Sequence, residues 1–187
     1  VNNLKVGENV ISIYNMGLKR EKTKEIDKEE FAALIETYKV SLYRVAKGIL
    51  RNEYDVEDSV SESVLKAFKN LNKLKDKNNF KAWIMRILVN ECYSLLNKKK
   101  RVDLQDDMGV YDITYEDNHK GDMIDYINKL DKDSRVILTL FYYEDMSIKS
   151  ISEVLEISNG TVKSRLSRSK EKLKKLLENS EWGGYNE

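Results

Sequence analysis

Asn159, Thr161, Lys163, Ser164, Arg165 and Arg168 open the stretch SNGTVKSRLSRSKEKLKKLL, residues 158–177, in which seven Lys or Arg stand against one Glu. A guanidinium presents paired donors that match the O6 and N7 acceptors of guanine, and a carboxamide matches adenine in the same bidentate way. Lysines are point charges suited to phosphate oxygens, which position a protein without reading sequence. The chemistry on offer is recognition of a polyanion. Val162, Leu166, Leu173 and Leu177 recur at helical spacing, with Arg165, Arg168, Lys172 and Lys175 on one flank and Lys163, Lys170 and Lys174 on the other. Such a helix rests on a small core along one stripe and turns its flanks to water or to an anion. A charged, solvated bundle helix is the bland alternative.

What precedes this helix favours the nucleic-acid reading. Ser147 to Leu155 predicts a short helix with Ile148, Ile151 and Val154/Leu155 inward, and the turn Glu156-Ile157-Ser158 leads into Asn159. Helix, tight turn and basic helix form the helix-turn-helix arrangement, whose second helix lays its N-terminal residues in the major groove. Upstream, MIDYINKL and SRVILTLFYYE predict two further helices, making a C-terminal four-helix domain.

The N-terminal half is also helical. Asp27, with Glu30 three residues on, predicts the start of a long helix whose apolar face runs through Phe31, Leu34, Ile35, Tyr38, Leu42, Val45, Ala46 and Ile49. A second helix is expected to start at Asp55 as N-cap and to bury Val56, Val60, Val64, Ala67, Phe68 and Leu71, with Asp58, Glu62 and Leu65 opposite. After the polar break NKLKDKNN, a third is expected from Phe80 to about Asn97, burying Phe80, Ile84, Ile87, Leu88 and Leu95. Arg86, Asn90, Tyr93 and Asn97 share a different face beside Trp83, polar, aromatic and uncommitted to a core. These helices suffice for a small bundle. The expected fold is therefore all-α, with an N-terminal three-to-four-helix bundle (28–101) and the C-terminal domain (122–180) joined by an acidic linker (102–121). Residues 1–27 read as an extension and 181–187 as a tail.

Composition bounds the rest. The chain of 187 residues is 41% apolar, with 33 Lys and Arg against 32 Asp and Glu, so charge informs by its distribution: KKKR at 98–101 is basic, while 103–125 carries eight carboxylates. Zero Pro and eight Gly agree with a helical chain. One cysteine, Cys92, excludes an internal disulfide, and no run approaches the apolar length of a membrane span, so a cytoplasmic location is expected. His119 is the only His, so no metal site is expected, and no nucleophile–base pair, phosphate loop or ligand cluster argues for an enzyme or a cofactor. Cys92 reads as an ordinary helix residue, Trp83 as a core-boundary residue, and KKKR as either a solvated helix end or a phosphate contact.

Two segments together resemble a known family. LDKDSRVILTLFYYEDMSIKSISEVLEIS followed by GTVKSRLSRSKEKL is similar to the C-terminal DNA-binding region of sigma factors of the extracytoplasmic-function group, in the sigma-70 family. YDVEDSVSESVLKAFKNL followed by FKAWIMRILVNECYSLLNKKKR resembles that group's N-terminal domain. The resemblance implies a transcription initiation factor that binds core RNA polymerase and directs it to promoter DNA. It implies that Asp55, Glu57, Asp58 and Glu62 meet the clamp helices of the β′ subunit. Lys77, Asn78, Asn79, Arg86, Asn90 and Tyr93 would read and open the −10 element, and Asn159, Thr161, Lys163, Ser164, Arg165 and Arg168 would read the −35 element. It also implies contact with the β flap and control by an anti-sigma factor, often a membrane-bound one.

The chain departs from the family pattern at Ser61, Ser94, Asn97, Asp131 and Glu156. Asp131 stands where Pro is frequent and can cap a helix instead. Glu156 stands where the turn glycine is usual, which strains the turn if its φ is positive. A stand-alone helix-turn-helix regulator with an N-terminal interaction module is the rival reading; it has no need of the acidic face at Asp58 and Glu62.

Overall fold

The computed structural model describes residues 26–103 and 123–178, which are helical almost throughout. Helix α1 (Lys28–Ile49) starts where the Asp27 carboxylate accepts from the Glu30 N–H at 2.8 Å, and stops where Leu50 turns extended. The Glu30 carboxylate does not close the reciprocal half of a capping box; it pairs with Lys77 at 3.2 Å. Helix α2 (Glu53–Lys69) is capped by Asn52, whose side chain accepts from the Asp55 N–H at 3.2 Å, and not by Asp55 itself. Asn52 wins because the helix begins earlier, which leaves Asp55 in an acidic first turn favoured by the helix dipole.

Two short 3₁₀ turns, Leu71–Lys73 and Lys77–Asn79, lead to helix α3 (Phe80–Asp103), which runs past the expected end at Asn97 and takes KKKR into its last turns. The three helices pack pairwise around Phe80, which is fully buried, with the rings of Phe31 and Tyr38 each 6.0 Å away and Trp83 at 5.9 Å. Trp83 is half-buried there, a boundary residue as expected. The face of α2 is rotated from the expected one. Ser59 and Ser63 are buried against its neighbours while Phe68 is 43% exposed, because small residues let α2 and α3 approach closely. On α3, Met85, Val89 and Cys92 join the buried set. Burial pushes the Cys92 thiol up to about 12, with the Ser59 hydroxyl pulling the other way, so the thiolate is scarce.

The C-terminal region holds helices α4 (Met123–Asn128) and α5 (Lys132–Leu138), a single π-helical turn Thr139–Tyr143, then α6 (Ile148–Leu155) and α7 (Asn159–Glu178). Asp131 caps α5, accepting from the Ser134 N–H at 3.0 Å, as its replacement of Pro suggested. Val136, Ile137, Leu138 and Leu140 are all buried, and so are Ser134, Arg135 and Thr139, so this segment is covered all round, as a central helix is. On one side it carries α7. On the other it meets α1, while α6 packs on α3, so the two helical regions share one continuous core. The acidic stretch 104–122 with His119, the extension 1–25 and the tail lie outside the described residues.

Two local features of the C-terminal region, one in the backbone and one in a side chain, have measurable consequences. Glu156 adopts φ 54° and ψ 41°, the left-handed conformation that the missing glycine would hold without strain. Glu156→Gly is therefore expected to stabilise the C-terminal region by about 0.5–1 kcal/mol, the left-handed penalty less the entropy that glycine adds to the unfolded chain; a raised melting temperature checks it, and an unchanged or lowered one refutes it.

Asp131 also accepts from the Ser134 hydroxyl at 2.8 Å and the Lys172 ammonium at 2.6 Å. Burial pushes its carboxyl upward, but those donors outweigh burial and bring it to about 2, below the ordinary 3.8. A carboxyl held lower in the folded than in the unfolded state adds stability above its unfolded value, lost as pH falls through the folded one. The stability gap between the protein and its Asp131→Asn variant, which keeps a capping oxygen but cannot titrate, is expected to close as pH falls from about 4 to about 2. Urea melts across that range measure it; a gap that persists at the acid end refutes it.

Candidate nucleic-acid interface

Helix α7 is held by α6 through the left-handed Glu156 and by a serine at its start. The Ser158 hydroxyl accepts from the Thr161 N–H at 3.1 Å and shares a hydrogen bond with the Thr161 hydroxyl at 2.8 Å. Val162, Leu166, Ser169 and Leu173 face inward, and Leu177 is half-buried. That seat leaves Asn159, Lys163, Ser164 and Arg168 exposed and Thr161 and Arg165 half-buried, so all six residues expected to meet a duplex lie in the first turns of one helix.

The charges of α7 divide along its length. In the C-terminal half Lys172 pairs with Asp131, Lys170 lies 4.3 Å from the centre of the Phe141 ring, and Lys174 and Lys175 face Glu178 and Glu171 at 3.6 and 4.0 Å. These lysines, read from sequence as phosphate contacts, also serve their own domain. In the N-terminal half Lys163 carries no ion pair among the described residues, and Arg168 donates to the Ser164 carbonyl at 3.3 Å. Arg165 stands 3.7 Å from the Asp133 carboxylate of α5, an ion pair it must leave to reach a base.

On α3, Arg86 and Asn90 are exposed along one side, and Lys77, Asn78 and Asn79 are exposed in the 3₁₀ turn at its start. Asp76 braces that turn, accepting from the Asn78 N–H at 3.0 Å and the Asn79 carboxamide at 3.4 Å. Tyr93 departs from the expectation of an uncommitted face. It is half-buried against the C-terminal region, with the Lys132 ammonium 4.6 Å from its ring centre. Burial pushes its phenol up to about 12, reinforced by Asp133 and opposed by Arg165.

On α2 the four carboxylates differ. Asp55 pairs with Lys99 at 2.6 Å and Glu62 faces Lys66 at 3.8 Å, Lys66 being hydrogen-bonded to Glu91 as well. Glu57 and Asp58 are exposed and carry no ion pair among the described residues. Beside them stand Tyr54, 82% exposed, and Leu65, 52% exposed, an acidic stripe edged with apolar groups. Tyr54 was not singled out from sequence; its spacing four residues before Asp58 was the available signal.

Sequence reasoning missed two buried charges of the C-terminal region. Arg135 donates through Nε to the Gly48 carbonyl at 2.9 Å and through Nη1 to the Leu130 carbonyl at 2.7 Å. Gly48 lies in the last turn of α1, where carbonyls lack helical partners and favour a cation. Glu144, just after the π turn, receives Arg44 Nη1 at 2.7 Å and Lys81 Nζ at 3.2 Å, from α1 and α3. Both lie in strings of apolar residues that gave no sign of what they would face.

No helix among the described residues is long and apolar enough to cross a membrane, and no group of three or more His, Cys, Asp or Glu there could hold a metal ion. Comparison with known proteins agrees with the two-region architecture. Residues 34–102 match the family model for sigma-70 region 2, and residues 120–173 that for sigma-70, region 4. The chain is 29% identical over 150 residues to the RNA polymerase sigma factor SigV of Bacillus subtilis (strain 168), covering 79% of this chain and 90% of the relative. It is 27% identical over 172 residues to the ECF RNA polymerase sigma factor SigW of the same organism, covering 82% and 92%. Among solved structures it is similar, at a TM-score of 0.71 and 25% identity, to the sigma factor RpoE in complex with the anti-sigma factor NepR from Bartonella quintana, covering 81% of this chain and 99% of that one. Two region matches in order, the curated relatives and the shared all-α fold place this chain in the extracytoplasmic-function group of the sigma-70 family, as an alternative sigma factor that directs RNA polymerase to promoters.

Proposed function

We propose how the residues of this sigma factor divide the work. Asp55, Glu57, Asp58 and Glu62 on α2 hold the β′ clamp helices of core RNA polymerase, with Tyr54 and Leu65 adding apolar contact. The turn Lys77–Asn79 and the α3 face of Arg86, Asn90 and Tyr93 capture the −10 element as single strand, through phosphate contact and stacking. The first turns of α7, Asn159 to Arg168, read the −35 element as duplex. The working domains are 28–101 and 122–180, the second also meeting the β flap. The protein acts in the cytoplasm by binding energy, without a cofactor or metal, and an anti-sigma factor restrains it, as the RpoE–NepR complex suggests by analogy.

One observation carries this reading: the same chain presents an exposed acidic helix face, on which Glu57 and Asp58 carry no ion pair among the described residues, and a basic helix-turn-helix. A stand-alone DNA-binding regulator needs only the second. The experiment mixes purified protein with bacterial core RNA polymerase and records binding together with transcription from a pooled promoter library. Holoenzyme formation with promoter-selective transcripts is expected. Duplex binding without polymerase binding would overturn the assignment in favour of the stand-alone regulator.

A further inference from the structure

Tyr93 of α3, Asp133, Val136 and Ile137 of α5, Leu155 of α6 and Arg165 of α7 line one cavity of about 220 Å³. Its buried lining is apolar: Val136 and Ile137 are fully covered and Leu155 is half-buried. Its exposed lining is charged, the Arg165 and Asp133 side chains being 40% and 53% exposed. These two charges stand 3.7 Å apart, beyond hydrogen-bond reach, and neither side chain makes a hydrogen bond among the described residues. The Tyr93 hydroxyl makes none there either, although its ring meets Lys132. Burial, reinforced by Asp133 and opposed by Arg165, pushes that phenol up to about 12, so it stays protonated and able to donate. Three polar groups with unused hydrogen-bonding capacity thus converge beside an apolar surface, the combination that marks a small-molecule site.

Size narrows the occupant. The cavity has room for about seven waters at about 30 Å³ each, and it falls short of the ~300 Å³ at which drug-sized sites begin. Water against Val136, Ile137 and Leu155 lacks polar partners, so an apolar group that displaces it gains affinity. Charge narrows the occupant further. A simple anion drawn to Arg165 also meets the Asp133 carboxylate, and a simple cation drawn to Asp133 meets the guanidinium, so each is repelled by half of the pair. A zwitterion with both charges on one carbon closes a ring over the pair. Its carboxylate accepts from the guanidinium and its ammonium donates to Asp133, each at the about 2.7–2.9 Å of a charge-assisted bond. The pair need not separate, and the side chain on that carbon is left for the apolar lining.

We propose that this cavity binds a free α-amino acid with a branched aliphatic side chain, and that its occupant competes with the −35 element for Arg165. The competition, though not the binding, rests on the assignment of Arg165 made above. A guanidinium engaged with a ligand carboxylate cannot present its paired donors to a guanine. Promoter reading then falls as the concentration of the free amino acid rises.

Equilibrium dialysis of the full chain against L-leucine tests the site, with isocaproate, which lacks the ammonium, and isoamylamine, which lacks the carboxylate, as probes of each charge. One leucine per chain is expected, bound at least about tenfold more tightly than either analogue. Leu155→Phe adds bulk at a half-buried lining position. It is expected to weaken leucine at least about tenfold and to leave −35 duplex affinity unchanged in the absence of leucine. Asp133→Asn, at an exposed position, is expected to erase the preference for leucine over isocaproate. No leucine bound by the unmodified protein overturns the site, and so does full leucine binding by a folded Leu155→Phe variant. Isocaproate bound as tightly as leucine overturns recognition of a zwitterion.

The competition is read by titrating the unmodified protein with a −35 duplex recovered from the promoter library, with and without leucine. At ten times its own dissociation constant, a ligand that binds only the DNA-free protein weakens the duplex about tenfold. That loss is expected, and it is expected to vanish in Leu155→Phe. Leucine binding with undiminished duplex affinity overturns the competition. Absence of duplex binding even without leucine refutes the assignment of Arg165, and the competition falls with it, whereas the dialysis decides the site separately.

Discussion

Asp58→Lys is expected to weaken binding to core RNA polymerase at least a hundredfold while leaving both helical regions folded. Asp58 is exposed, carries no ion pair among the described residues and sits mid-helix on α2, so the substitution removes no packing, cap or internal contact. Lysine is a good helix former, so the helix itself loses little. What changes is the sign of the charge offered to the partner: an attraction becomes like-charge juxtaposition at a docked surface, which costs several kcal/mol. A hundredfold loss corresponds to about 2.7 kcal/mol, well within that range. Equilibrium binding to core polymerase measures it, with circular dichroism and −35 duplex binding as controls for folding. Unchanged affinity for polymerase would remove the acidic face of α2 from the docking surface. Asp55→Lys would be a poorer test, because Asp55 pairs with Lys99 and its loss also disturbs the contact between α2 and α3.

Arg165→Ala is expected to weaken recognition of the −35 element by about 1–3 kcal/mol and to relax base preference at one position. Arg165 lies one turn beyond Thr161 on the first turns of α7, with its guanidinium 3.7 Å from Asp133. That pair is half-exposed, at 40% and 53%, so little is lost when the side chain swings toward DNA. Arg165 and Asp133 both line the cavity that Tyr93 also lines. Selection of binding sites from a randomised −35 pool, compared for the two proteins, separates the outcomes. Relaxed preference at one position supports direct base readout. A uniform loss across all sequences, with a salt slope shallower by about one, would make Arg165 a phosphate contact.

Most of the elements were legible in the chain because helices write their burial pattern at short range. Asp27, Ser147 and Asp131 begin helices as their types and positions predict, since capping involves only residues within one turn. The helix-turn-helix was legible for the same reason, down to the strained position at Glu156. The misreadings share a cause as well. Asn52 and Asp55 are both good caps three residues apart, and local sequence does not rank them. Phe68 fits the apolar stripe of α2 by spacing, yet Ser59 and Ser63 occupy the buried face because α2 and α3 approach closely there.

Sequence alone determined that this protein is an all-α chain with a basic helix closing a helix-turn-helix, a helix with an acidic face and the order of regions that marks a sigma factor. Those properties reside in residue type and local spacing, which act within a few turns of the chain. Tertiary structure alone decided that Tyr93 is covered, that Arg165 faces Asp133, and that Glu144 and Arg135 are buried charges bridging the two regions. Glu144 and Arg44 are a hundred residues apart, and nothing in the neighbourhood of either names the other. A buried charge is defined by the partner that compensates it, and that partner is set by packing over the whole chain.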